Sequence, residues 1–215
     1  MTDLTHTDEH GKARKAHVFG ENTTRRAVFL DLQGTLGGDG LGDILDFAFY
    51  PCAIPALRLF NQIGLLIIVV TNQSHIAKGL LTYQEYEERV KELEGELEGE
   101  LEAVGVSIDA IYCCPHRTPD TCACQKPKLG MLHEAQREFG MALRECFVVG
   151  DMGSSDMLMA HAAGCKSVLV LTGVGESSLN GFRHTWAAAE PDFIATDVLQ
   201  AAEWIGEQVA GASSM

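Results

Sequence analysis

Five short apolar runs, separated by segments of helical periodicity, leave this 215-residue chain few folds to choose from. The runs are Ala27–Leu30, Leu65–Val70, Ala110–Cys113, Cys146–Val149 and Ser167–Leu171. Apolar spacing predicts helices over Ala53–Gln62, Thr82–Val104, Gly130–Phe139, Ser155–Ala163 and Asp197–Val209. Strands apolar on both faces, alternating with helices of this length, pair in parallel through right-handed crossovers. The expected architecture is therefore α/β, a three-layer Rossmann-like sandwich around a mainly parallel sheet. One domain over 25–212 accommodates it, with a polar tail over 1–24 in which His6, His10 and His17 lack ligand-like spacing.

Three of the runs end on residues that can do chemistry. The first delivers Asp31-Leu32-Gln33-Gly34-Thr35, the second Thr71-Asn72-Gln73-Ser74, and the fourth Gly150-Asp151 followed by Asp156. In open α/β sheets ligands sit beyond these carboxyl ends, where strand order reverses. Asp31 there reads as a nucleophile or a metal ligand. Thr71 and Asn72 offer donors for a phosphate oxygen, although Thr71 is an equally good cap for the next segment. Asp151 and Asp156 on one tight turn suit Mg²⁺, whose hard shell takes carboxylates and water, while Asp156 alternatively caps the following helix. Residues 34–47 form a glycine-rich connection that suits either a flap beside a site or a plain loop.

Taken in order, Asp31-Leu32-Gln33-Gly34-Thr35, Thr71 with Asn72, Lys126 in Gln125-Lys126-Pro127, and Gly150-Asp151 with Asp156 resemble the four motifs of the haloacid dehalogenase-like superfamily. Val69–Gly79, Cys114-Pro115-His116, Cys122–Pro127 and Val170–Gly173 are similar to stretches of its heptose-bisphosphate and histidinol-phosphate phosphatases. The resemblance implies hydrolysis of a small phosphorylated metabolite in two steps. Asp31 would attack phosphorus and carry an aspartyl-phosphate. Asp31, Asp151 and the main-chain carbonyl of Gln33 would hold Mg²⁺, with Thr71, Asn72 and Lys126 gripping the phosphoryl group. Asp156 would support the metal shell or orient Lys126. No separate cap domain is expected, because one long helix, a strand and a cysteine loop fill residues 72–125.

The match breaks at three positions. Gln33 stands where these phosphatases have the aspartate that protonates the leaving group and then activates water. An amide cannot transfer that proton, and such help is worth roughly 10²–10⁴-fold. Gln33 therefore predicts a slow enzyme, a different proton carrier (His75, Asp39 or Asp43), or a pocket that binds phosphate esters or a partner without turnover. Gln125 replaces an arginine that would read a second phosphate bidentately. His75 replaces a glycine and is placed to meet substrate or move a proton. Halide release is disfavoured, since it has no use for Asp151 and Asp156 as metal carboxylates.

Cys114, His116, Cys122 and Cys124 offer a closed tetrahedral Zn²⁺ set in a loop over 114–124, the alternative being free thiols. Cys113 leaves the first ligand open from spacing alone, and the family resemblance selects Cys114. Such a loop has little apolar area to order itself, so zinc would fold it and aim Lys126 at the site. Cys52, Cys146 and Cys165 read as core thiols, and His133 and His161 as packed or solvated residues.

A net charge of −14 argues against nucleic acid and anionic membranes, which need a surplus of Lys and Arg. Much of that charge lies on the Thr82–Val104 helix, as a solvated face or, less simply, an acidic docking surface. With no membrane-spanning run and a polar start, a cytoplasmic monomer with reduced thiols is expected.

Overall fold

A computed structural model describes residues 25–101, 107–117 and 121–212; the expected tail over 1–24 lies outside them. Among these residues the strands are β1 (Ala27–Leu30), β2 (Leu66–Asn72), β3 (Ala110–Cys114), β4 (Phe147–Gly150), β5 (Lys166–Val170) and β6 (Phe193–Ala195). They form one sheet in the order β3-β2-β1-β4-β5-β6, and every pairing is parallel. The helices are α1 (Ala53–Gln62), α2 (Ser74–Ala77), α3 (Tyr83–Leu101), α4 (Gly130–Phe139), α5 (Leu158–Ala163), α6 (Gly175–Asn180) and α7 (Val198–Ala212).

Period-two alternation along the strands builds two cores. Val28, Leu30, Ile67, Val69 and Val149 face α1, α3 and α7 through Leu57, Phe60, Leu93, Ala201 and Ile205. Phe29, Ile68, Val70 and Val148 face α4 and α5 through Leu132, Ala135, Met159 and Ala160 on the other side. The three layers are thus as expected. Each of these sheet side chains is all but fully buried, and burial of this kind contributes about 1.5–3 kcal/mol per residue.

Ala53–Gln62 and Gly130–Phe139 form as read from sequence. The α3 start also holds, because Thr82 and Glu85 cap reciprocally: Glu85 N donates to Thr82 Oγ1 at 3.1 Å and Thr82 N to Glu85 Oε2 at 2.8 Å. Its expected continuation to Val104 lies outside the described residues. The helix expected over Ser155–Ala163 starts instead as a wide turn over Gly153–Met157, which then tightens into α5. Strand β6 and helix α6 were not expected. The first is a three-residue edge strand with Ile194 in solvent, and the second is Gly-Glu-Ser-Ser-Leu-Asn, so neither carries a periodic apolar signal.

Strand order reverses between β1 and β4, where register pairs Leu30 with Val149. Asp31 N donates to Val149 O at 3.0 Å, which holds the two tips together. Among the described residues no folded unit is inserted over this end. It is flanked instead by the glycine-rich connection, anchored by buried Leu36, Ile44 and Phe47.

Candidate active site

Asp31, Asp151 and Asp156 converge at the switch point, each offering a carboxylate oxygen, with those oxygens all within 4.8 Å of one another. Lys126, 6% exposed, arrives from the loop after β3 and spends all three ammonium donors there. It donates to Asp31 Oδ1 at 2.6 Å, to Asp156 Oδ1 at 2.7 Å and to Val70 O at 3.0 Å. Its backbone is clamped by Asn72, whose Oδ1 accepts from Lys126 N at 3.0 Å and whose Nδ2 donates to Lys126 O at 3.2 Å. Asn72 was expected on phosphate; here its carboxamide is engaged with the lysine's main chain.

Three acids against one ammonium leave the cluster with excess negative charge. Burial, opposed by Lys126 and reinforced by Asp156, raises the Asp31 pKa to about 6. Burial and then repulsion from Asp31 and Asp156 push Asp151 up to about 8. For Lys126 burial acts downward, but the two carboxylates outweigh it and hold the ammonium well above its usual range. Asp156 uses both oxygens, the second accepting from Met152 N at 3.1 Å. Asp151 Oδ2 accepts from Val174 N at 2.8 Å and is packed so closely that a Cβ at Gly34, Gly40 or Gly173 would collide with it. All-oxygen donors, surplus charge and a cradle that only glycine backbone can form fit a hard divalent cation.

The cavity beside these groups measures about 230 Å³ and is also lined by Gln33, Gly40, Gly42, Thr71, His75, Lys78 and Gln125. Gln33 bridges across it. Its Nε2 donates to Gly42 O in the glycine-rich connection at 2.6 Å, and its Oε1 accepts from Gln73 Nε2 at 2.9 Å. Gln73 Nε2 also donates to Thr71 Oγ1 at 3.0 Å, which leaves the Thr71 O–H to donate elsewhere. Gln73, only 3% exposed, was missed at the sequence level. A polar residue between two others in Thr71-Asn72-Gln73-Ser74 gives no sign of which one turns inward.

Strand β3 runs one residue beyond expectation, through Cys114. Alternation sends Cys113 to the α3 side and Cys114 to the opposite face, where Cys122 and Cys124 lie. Cys114 Sγ stands 3.1 Å from Cys124 Sγ, 3.8 Å from Cys122 Sγ and 3.6 Å from His116 Nδ1. His116 Nδ1 is 3.3 Å from Cys124 Sγ. Zn–S bonds of about 2.3 Å imply tetrahedron edges of roughly 3.8 Å, so this quartet fits zinc with little adjustment. Cys146 and Cys165 are buried thiols pushed up to about 11 and about 12, inert core groups as expected, while Cys52 is half-buried. His133 and His161 face solvent.

Aspartates from two neighbouring strand tips, a buried lysine and a hydroxyl around one small cavity are the build of a phosphate-ester hydrolase. Comparisons with known proteins place it. A family model described as HAD-hydrolase-like matches residues 123–201. A D-glycero-beta-D-manno-heptose-1,7-bisphosphate 7-phosphatase of Haemophilus ducreyi is 37% identical over 158 residues, 69% of this chain and 85% of the relative. A probable D-glycero-D-manno-heptose-1,7-bisphosphate 7-phosphatase of Thermoplasma volcanium is 34% identical over 133 residues, 61% of this chain and 88% of the relative. The crystal structure of D,D-heptose 1,7-bisphosphate phosphatase from B. bronchiseptica with magnesium and phosphate superposes with a TM-score of 0.72 at 27% identity, covering 85% of this chain and 99% of that one. The chain belongs to the haloacid dehalogenase-like hydrolase family and is a phosphatase of that family. Among the described residues no helix is long and apolar enough to cross a membrane.

Proposed function

We propose that this phosphatase hydrolyses a small sugar phosphate, or a related phosphomonoester, in the cytoplasm through an aspartyl-phosphate on Asp31. Its Mg²⁺ would be held by Asp31, Asp151 and the main-chain carbonyl of Gln33. The observation that carries the reading is the ammonium of Lys126 seated between Asp31 and Asp156 at the floor of the cavity.

Asp31 presents one oxygen to Lys126 and keeps the other for attack on phosphorus. Phosphate entering this cavity meets the Thr71 hydroxyl, and Lys126 shares a proton with it by loosening one of its three bonds. Asn72 and Asp156 set where that ammonium sits, so both act by positioning. What bound Mg²⁺ supplies is neutralisation of charge on the phosphoryl oxygens. Gln33 holds the connection closed over the site but has no proton that ionises near neutral pH, so turnover without another carrier falls short by roughly 10²–10⁴-fold. The relatives named above act on a heptose bisphosphate. Gln125 lacks the fork that grips a second phosphate, which favours a substrate with one. Zn²⁺ on Cys114, His116, Cys122 and Cys124 would fix the loop that leads to Lys126.

The test is hydrolysis of p-nitrophenyl phosphate and a panel of sugar monophosphates in Mg²⁺. Asp31→Asn is expected to abolish turnover, and wild type to prefer monophosphates over bisphosphates. Phosphate-ester binding without turnover by both wild type and Gln33→Asp would establish the rival reading of a binding protein on this fold.

A further inference from the structure

Resting on the phosphatase reading, we propose that His75 protonates the leaving alcohol and then deprotonates the attacking water, with Asp43 holding its ring. The His75–Asp43 pair thereby does the acid–base work that Gln33 cannot.

The cavity itself narrows the choice. Of its titratable lining groups, Asp31, Asp151, Asp156 and Lys126 belong to the nucleophile and charge cluster, which leaves His75 and Lys78. An ordinary lysine ammonium gives up its proton only at about pH 10.4, too far from neutrality for efficient acid–base exchange. An imidazole can do both near neutral pH. His75 is on the single turn α2, directly after the Thr71–Gln73 tip, with 26% of its side chain exposed.

Asp43 comes from the glycine-rich connection. Its Oδ1 caps a short helical turn by accepting from Leu45 N at 3.1 Å, and its Oδ2 lies 3.6 Å from His75 Nδ1. Such contacts are commonly long before substrate binds and tighten afterwards. A carboxylate on Nδ1 fixes the tautomer and leaves Nε2 as the atom that exchanges protons. Asp39, the other flap aspartate nominated from the sequence, is turned onto its own loop, accepting from Leu41 N at 3.0 Å. Other charges near the pair include Lys78 on the same turn and Glu85 at the start of α3, which feels Asp43. A second observation is independent of the pair itself. Gln33 Nε2 grips Gly42 O, the residue before Asp43, so the amide that lost the proton-transfer role holds the backbone carrying the partner of its replacement.

The step balances. As an Asp31 oxygen bonds to phosphorus, the P–O bond to the alcohol breaks and that oxygen takes the proton from His75 Nε2. Water then attacks the aspartyl-phosphate, giving its proton to Nε2, and the electron pair of the broken bond returns to Asp31.

The experiment compares kcat and KM for p-nitrophenyl phosphate and for a hexose 6-phosphate in Mg²⁺. An alkyl alcohol leaves poorly and needs the acid, whereas nitrophenolate needs it far less. His75→Ala is expected to lower kcat/KM, which reports the steps through loss of the alcohol, on the hexose phosphate by about 10²-fold or more and on the aryl ester by less than a tenth of that factor. Hydrolysis of the shared aspartyl-phosphate should slow for both. His75→Gln should behave as His75→Ala does. Added imidazole should restore part of the loss in His75→Ala, as should Gln33→Asp in that background. Asp43→Asn should lower kcat more mildly, leave KM near its wild-type value and displace the pH profile, which a merely structural contact would not do. Equal losses of kcat/KM on both esters in His75→Ala, or a silent wild type beside an active Gln33→Asp, would overturn the pair. Silence of wild type and Gln33→Asp alike would remove the phosphatase reading and the pair with it.

Discussion

Replacing Asp151 by asparagine should stabilise the metal-free protein, although it removes a carboxylate the cation site needs. Folding raises the Asp151 pKa from 3.8 to about 8, chiefly through burial and then through Asp31 and Asp156. Between those values the folded chain holds a proton that the unfolded chain has released, so stability without metal falls as pH rises through the window. The loss is at most about 1.4 kcal/mol per pH unit. Asparagine is neutral throughout and keeps an oxygen for Val174 N, so the gap between variant and wild type opens by that amount per unit. Relief of repulsion on Asp31, itself raised to about 6, acts with the same sign. For a chain of this size 1 kcal/mol is about 2–4 °C in Tm, hence roughly 3–5 °C per pH unit between pH 5 and 8. Thermal unfolding in chelator at pH 5.5, 7 and 8.5 measures it. Wild type should recover in Mg²⁺, by about 2.7 kcal/mol at a hundred times Kd, and Asp151→Asn should not. A variant less stable than wild type at pH 8.5 in chelator, or a gap that ignores pH, would refute the account of the cluster.

Other consequences are simpler to check. Asn72→Ala removes both bonds to the Lys126 main chain, and should cost about 1–3 kcal/mol in urea unfolding and lower kcat more than it raises KM. Metal analysis of protein purified without chelator should give about one zinc per chain, with Cys122→Ser well below that and less stable. Gly34→Ala places a methyl against Asp151 Oδ2 at φ +82°, so isothermal titration with Mg²⁺ should show binding weakened at least tenfold or lost.

The sheet and its order of chemistry were legible because they rest on short-range signals. Apolar runs mark β1 to β5, polar tips follow the runs of β1, β2 and β4, and the capping box dates the start of α3 to within a residue. Asp31 and Asp151 could be nominated because each follows a run that had to be a buried strand, whereas Lys126 was nominated by the resemblance to the family's motifs. What sequence did not disclose is of another kind. Strand β6 is too short and too exposed to pattern, since pairing with β5 rather than burial defines it. Nothing local distinguishes Asn72 as a clamp on Lys126 from Asn72 as a phosphate donor, because its partner lies 54 residues away.

The same limit explains why Gln33 reads so differently before and after folding. In sequence it is a missing proton donor, a deficit counted against the site. In three dimensions its amide does two things a carboxylate could not do together, donating to Gly42 O while accepting from Gln73. Aspartate is one methylene shorter and has no N–H, so Gln33→Asp would release the glycine-rich connection even as it supplied an acid. Any gain in proton transfer from that variant is therefore opposed by looser closure. The two effects separate on substrate: the alkyl ester should gain in kcat, whereas KM should rise for both esters by a similar factor. A Gln33→Asp enzyme with lower KM for both would show that the Gln33–Gly42 bond is incidental to closure.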